Sequence, residues 1–177
     1  MTKTKKFASA IALACAAFTS QAALADDISN PIEAVTLEDN AAFFGRLITG
    51  NHSGDTFADQ YSFNLGSGAS IVADLFSVSG NAKNGLDITG FSLYKLDGTL
   101  VSNGIQLETG KTDQWQLSTA GLSGSYYVQV EGNVLSQAAG NYGVTLAVTP
   151  VPEPSTYGMM LGGLALLGVV ARRKSGK

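Results

Sequence analysis

The sequence predicts an all-β fold, an antiparallel β-sandwich or jelly roll, followed by one short C-terminal transmembrane helix. Three observations predict it. Between Asp26 and Thr149 the apolar residues recur at a period of two, the pattern of half-buried strands, and no segment carries a sustained helical stripe. Sixteen glycines fall in the same interval, many beside Ser or Asn, and mark frequent turns. After Pro154 the pattern changes to a single uncharged run of 15 residues, Tyr157 to Ala171.

Taken in order, the chain opens as a secretory signal peptide over residues 1–25. Lys3, Lys5 and Lys6 form the charged region, Phe7 to Phe18 the apolar one, and Ala23-Leu24-Ala25 the small-x-small cleavage site. Such a segment engages the secretion translocon and signal peptidase. The single cysteine, Cys15, lies inside it. A lipoprotein reading is disfavoured, because Ala12 stands where a lipobox prefers Leu and the apolar region runs past Cys15. The domain over residues 26–149 therefore has no thiol for a disulfide, a metal or a nucleophile.

Within that domain, Phe57, Asp59, Tyr61, Phe63 and Leu65 alternate with Ala58, Gln60, Ser62 and Asn64. Trp115 and Leu117, then Tyr126, Val128 and Val130, then Tyr142, Val144, Leu146 and Val148 repeat the pattern. Phe43 to Ile48, Ser70 to Val78 and Phe91 to Leu96 are further strands, about seven to nine in all. Asp97-Gly98 has the chemistry of a two-residue hairpin turn with positive φ. Gly124-Ser-Tyr-Tyr-Val-Gln-Val130 echoes Gly140-Asn-Tyr-Gly-Val-Thr-Leu146. In each, a turn glycine precedes an inward tyrosine whose hydroxyl is placed to hydrogen-bond back to its loop.

A proline-rich linker, residues 150–156, leads to the apolar run. Pro150, Pro152 and Pro154 keep that approach extended. The run, 157–171, is about 23 Å long as a helix against a hydrocarbon core of about 30 Å. Ser155 and Thr156 extend it to about 26 Å, and snorkelling arginines cover the rest. The basic residues after it predict a cytoplasmic tail, 172–177. A plain tail anchor is one reading of this arrangement.

The order of triplet, short apolar span and Arg-Arg-Lys resembles the PEP-CTERM sorting signal of bacterial surface proteins. The resemblance implies that an exosortase, a membrane-embedded cysteine protease or transpeptidase, is the processing partner. It also implies that Pro152, Glu153 and Pro154 are the recognised motif and Arg172, Arg173 and Lys174 the retention signal. The product is then exported, held transiently in the inner membrane, and delivered to the cell surface or extracellular matrix. Phe57-x-Asp59-x-Tyr61-x-Phe63 with Gly140-x-Tyr142-x-Val144-x-Leu146 resembles the exported domain of a PEP-CTERM subgroup named for F-x-D-x-F, with Tyr61 in place of the second Phe. It is more loosely similar to pre-peptidase C-terminal β-sandwich domains. Neither relative brings an established catalytic site.

Residues 26–150 carry 13 acidic and four basic side chains, a net charge of −9. Phosphate backbones demand Lys and Arg, so nucleic acid is not an expected partner. Asp59 shares a face with four apolar residues, where an unpaired carboxylate is costly. It is expected to cap loop amides or to bind a cation. A calcium site of Asp59 with Asp55 and Asn51 is the sharper reading, without an EF-hand spacing to support it. His52 is the only histidine, in a turn-like stretch beside Ser53. No Gly-x-Ser-x-Gly elbow accompanies it, zinc would need partners that the chain lacks, and nothing singles out a pair of carboxylates for glycoside hydrolysis. The expectation is a non-enzymatic surface or matrix protein with no cofactor unless it is calcium. The alternatives are a module binding exopolysaccharide of a biofilm matrix, with Trp115, Tyr94 and Tyr127 as candidate sugar-stacking residues, a calcium-stabilised adhesion domain, or, least favoured, a hydrolase.

Overall fold

The computed structural model describes residues 25–150 and 154–175. The signal-peptide expectation, apart from Ala25, and the positions of Pro152 and Glu153 lie outside them. The strands are β1 (Glu33–Ala34), β2 (Ala41–Ile48), β3 (Thr56–Val78), β4 (Leu86–Lys95), β5 (Leu100–Asn103), β6 (Ile105–Glu108), β7 (Thr112–Val134) and β8 (Gly140–Thr149), and the helix is α1 (Pro154–Ser175).

All eight strands hydrogen-bond into one sheet, in the order β2-β8-β3-β7-β4-β5, with β1 parallel to β3 and β6 antiparallel to β7. Two 23-residue strands let one sheet do the work of two layers. The first half of β3 pairs with the second half of β7, from Phe57↔Gly132 to Leu65↔Gly124. Its second half pairs with the first half of β7 and, on its other edge, with β8. Between the halves the register breaks at Leu65/Ala69 and Ala69/Ile71, near Gly68, Gly121 and Gly124, all at positive φ. A bulge at such glycines bends and twists the ladder, so the sheet curls over and packs on itself. The expectation of separate sheets is corrected here. Residues 57–65 and 70–78 belong to one bent strand, because Gly66-Ser67-Gly68 is a bulge rather than a hairpin turn.

The core lies inside the curl. Phe57, Tyr61, Phe63, Leu65, Ile71 and Leu75 of β3 face Leu117, Val128 and Val130 of β7 and Val144 and Leu146 of β8, all nearly inaccessible to water. In β7 the inward set passes from odd positions (Asp113, Leu117) to even ones (Leu122, Tyr126, Val128) across the bulge. A one-residue insertion flips every later side chain to the other face, so the bulge keeps both halves apolar-in. β4 does the same on a smaller scale, with a register shift between Ile88 and Gly90.

The β4–β5 turn differs from the two-residue expectation. The Lys95 N–H donates to the Thr99 carbonyl and the Gly98 N–H to the Lys95 carbonyl, each at 2.9 Å, enclosing the three-residue loop Leu96-Asp97-Gly98. Only Gly98 takes a positive φ, at 84°, and Asp97 instead accepts the Thr99 N–H on its side chain at 2.8 Å.

Among the described residues no helix is long and apolar enough to cross a membrane. This corrects the transmembrane helix expected over 157–171. The physical reason is dilution. The uncharged run is short for a hydrocarbon core of about 30 Å, Gly158, Gly162, Gly163 and Gly168 interrupt its large side chains, and polar residues occupy the first turn of α1.

Candidate functional site

Two inward residues of opposite charge organise the centre of the curled sheet. Asp59 comes from the first half of β3 and Arg46 from β2, which belongs to the opposing layer. The period of two brings each inward: Phe44, Arg46 and Ile48 share one face of β2, as Phe57, Asp59 and Tyr61 share one face of β3. Arg46 Nη1 lies 2.8 Å from Asp59 Oδ1 and 3.1 Å from Oδ2. Asp59 Oδ1 also accepts the Asn30 N–H at 2.7 Å, and Oδ2 the Tyr142 hydroxyl at 2.6 Å. Tyr142 is the cross-strand neighbour of Arg46, and its hydroxyl lies 2.8 Å from that of Tyr61. The Phe57 ring stacks on Tyr142 with centroids 5.7 Å apart, and Phe44 lies 4.6 Å from Tyr61. The carboxylate therefore has both oxygens hydrogen-bonded and its charge answered by a cation, the condition for a buried ion to be tolerated. It clamps one layer to the other.

Burial, and next the hydrogen bond to Asp59, push the Tyr142 hydroxyl far above the ordinary tyrosine range. Burial does the same, less strongly, for Tyr61. Both stay protonated, as donors to this cluster must. The stability carried by a raised tyrosine is complete below its unfolded value, about pH 10, and falls as pH rises beyond it. Tyr142→Phe should lower stability by about 2 kcal/mol and remove that part of the alkaline decline, which thermal melts between pH 8 and 11 will read.

Asp55 and Asn51 sit apart from this clamp, in the turn between β2 and β3. Asp55 Oδ1 accepts the Asp26 N–H at 3.0 Å, and its Oδ2 lies 3.0 Å from His52 Nδ1. The Asp26 bond first, then His52, holds the Asp55 carboxyl below its usual range. Asn51 is exposed. Among the described residues no group of three or more His, Cys, Asp or Glu side chains is placed to hold a metal ion. His52 pairs with an acid, and Ser53 beside it is exposed on the turn.

The aromatic candidates divide. Trp115 packs against the core, with its Nε1 buried and without a hydrogen-bond partner. Tyr94 and Tyr127 stack on one another across β4 and β7, centroids 5.2 Å apart and rings within 11° of parallel. Tyr126 hydrogen-bonds back to its turn as expected, donating to the Ser123 carbonyl at 3.1 Å. Its counterpart Tyr142 is directed to Asp59 instead. Asp113 is a second buried carboxylate, accepting the Ile88 and Gly110 N–H groups at 3.3 and 3.2 Å, and burial raises its pKa.

In the helix of the sorting tail, residues 156–168 are all exposed. α1 begins at Pro154, a residue suited to the first helical turn, where its missing N–H costs no bond. Its large apolar residues from Tyr157 to Leu167 are exposed, Met159 at 80% and Leu166 at 70%. Arg172 falls near its C-terminal end, where a cation meets the helix dipole favourably. Residues 150–174 match the PEP-CTERM protein-sorting motif. The motif supports an exported, cell-surface-directed protein with an exosortase as processing partner. The match does not extend into the β-domain, so the F-x-D-x-F subgroup is not confirmed.

No curated protein matches this chain. Among solved structures, the chain is similar to a periplasmic inhibitor of g-type lysozyme from Aeromonas hydrophila, at 15% identity and a TM-score of 0.40, covering 70% of this chain and 99% of that one. It is also similar to the pre-peptidase C-terminal domain of a Bacillus anthracis collagenase, at 18% identity and a TM-score of 0.34, covering 71% and 95%.

Arg46 and Tyr142 as partners of Asp59 escaped the sequence reading, although a signal existed. An arginine and an aspartate each in phase with apolar neighbours on a strand are both inward, and inward opposite charges seek each other. Nothing in the spacing said that the two strands face one another across the core.

Proposed function

We propose that this chain is a non-enzymatic exported protein that exosortase processes through residues 150–174 and that resides at the cell surface or in the extracellular matrix. The observation that carries the reading is the sorting motif following directly on the last strand of the β-domain. The interior supports it. Asp59, the most chemically suggestive residue of the domain, spends its hydrogen-bonding capacity on Arg46, Tyr142 and Asn30 rather than facing a cleft. With Asp59 answered by an arginine, a calcium site would rest on Asp55 and Asn51 alone. In the producing cell, replacement of Pro152, Glu153 and Pro154 by alanine should leave an unprocessed full-length form and deplete the surface and matrix fractions. Immunoblots of fractionated cells check this, and unchanged processing of the triple variant overturns the reading.

A second reading, binding of exopolysaccharide, is favoured by one observation: a phenylalanine stands almost fully exposed on the outer sheet face, 77% accessible at Phe43.

A further inference from the structure

On the outward face of β2, β8 and β3 the register sets three rows side by side. Ala41, Ala147 and Val72 form one, Phe43, Thr145 and Asp74 the next, and Gly45, Gly143 and Phe76 the third. The rows are uneven in a useful way. A Cβ on Gly143 would lie 3.1 Å from Phe43 Cζ, so the ring reclines over the glycine, keeping one face toward solvent. Phe76, the cross-strand neighbour of Gly143, is 42% accessible and Val72 41%. Beside Phe43 the small Ala41 and Ala147 help form an open groove of about 660 Å³, bordered also by Thr36, Glu38, Asp74 and Thr145. That volume falls within the range of ligand sites, roughly 300–1,000 Å³.

We infer that this groove and the Phe43 ring bind a neutral glycan chain, an inference that rests on the exopolysaccharide reading and names its site and ligand class. A sugar ring offers a C–H face and a rim of hydroxyls. The first stacks on an exposed aromatic face, and the second donates to carboxylates and exchanges hydrogen bonds with threonine hydroxyls. Phe43 supplies the one, and Asp74, Glu38, Thr36 and Thr145 the other. Asp74 is held for this role by Gln116, whose Nε2 donates to its Oδ1 at 2.8 Å.

Charge selects the class of glycan. The groove contains no Lys, Arg or His, and the basic residue on β2, Arg46, is turned inward to Asp59. Two carboxylates on a domain of net charge −9 repel a polymer bearing carboxylate, sulfate or phosphate. The same charges argue against a second copy as occupant, since each copy would present Glu38 and Asp74 to a like-charged domain. The face that the sequence pointed to, Trp115 with Tyr94 and Tyr127, is a poorer platform: Trp115 packs into the core, and the two tyrosines cover each other.

Calorimetry on the purified exported protein tests the inference, with hexamers of β-1,4-glucose, β-1,3-glucose, mannose and N-acetylglucosamine as neutral probes and oligogalacturonate as the anionic one. At least one neutral hexamer should bind and oligogalacturonate should not. Phe43→Ala should weaken binding about tenfold with an unchanged melting temperature, because its ring is exposed. Phe76→Ala should also weaken it, and Leu96→Ala, on the β4–β5 turn and outside the lining of the groove, should not. Failure of every neutral hexamer to bind overturns both this site and the exopolysaccharide reading. Binding that survives Phe43→Ala and Phe76→Ala overturns the site alone. Self-association lost in Phe43→Ala, without glycan binding, overturns the inference in favour of a second copy.

Discussion

Replacing Arg46 by methionine should destabilise the domain by about 3 kcal/mol, at the lower end of the cost of breaking a buried ion pair. For a domain of this size that corresponds to a fall in melting temperature of about 10 °C. The cost comes from what remains: the Asp59 carboxylate, with 1% side-chain accessibility, would lose the cation that answers it. The lower end of the range applies because Arg46 keeps 18% of its side chain in water. The companion variant separates loss of contact from stranded charge. Asp59→Leu combined with Arg46→Met removes both charges and should be at least as stable as Arg46→Met alone, a non-additivity that a double-mutant cycle measures. Strict additivity of the two single losses would mean that the pair does not act as the clamp described above. Chemical denaturation of the four proteins at pH 7 supplies all the terms.

Gly45→Ala should cost about 2–3 kcal/mol, a large effect for one methyl group on an edge strand. Gly45 faces Gly143 across the β2–β8 ladder, and a Cβ there would collide with the Tyr142 carbonyl oxygen. Backbone cannot swing aside as the end of a long side chain does, so either β2 or β8 must shift. The shift has a second consequence, because Tyr142 is the residue that donates to Asp59 and Arg46 stands next to Gly45. The variant should therefore lose part of the interlayer clamp as well as ladder bonds. Thermal melts measure the total. In the Arg46→Met background the added cost of Gly45→Ala should be smaller, since the clamp is already broken. An undiminished cost there would confine the effect to the strand pair.

Much of the local structure was legible in the chain. The period of two located segments of β2, β3, β4, β7 and β8, since alternation follows directly from the geometry of an extended backbone, and it missed the short β1, β5 and β6. It also placed Asp59 inward, and it marked Tyr126 as a tyrosine that closes its own turn. The reading failed where a local signal had two meanings. Glycines in Gly66-Ser67-Gly68 serve a hairpin turn and a bulge equally well, and only pairing along both halves of β3 decides between them. Asp97-Gly98 reads as a two-residue turn, yet the strand register adds Leu96 to the loop. Tyr142 repeats the motif of Tyr126 but finds a charged acceptor across the core that is better than its loop.

The tail and the domain stand at opposite extremes. Sorting is a property of a linear segment, since a processing enzyme reads an accessible peptide. The Pro-Glu-Pro triplet and the Arg-Arg-Lys end were therefore sufficient to identify it, and residues 150–174 match the sorting motif. The same segment's reading as a transmembrane helix is corrected, since no helix among the described residues is both long and apolar enough to cross a membrane. Inside the domain, the sequence by itself determined the longer extended segments and which of their faces are apolar. Tertiary structure decided that one curled sheet replaces two, that Arg46 answers Asp59, and that Phe43 lies open beside a groove. These are outcomes of long-range pairing. The residues concerned are brought together by strands distant in the chain, and no local propensity encodes which strand faces which.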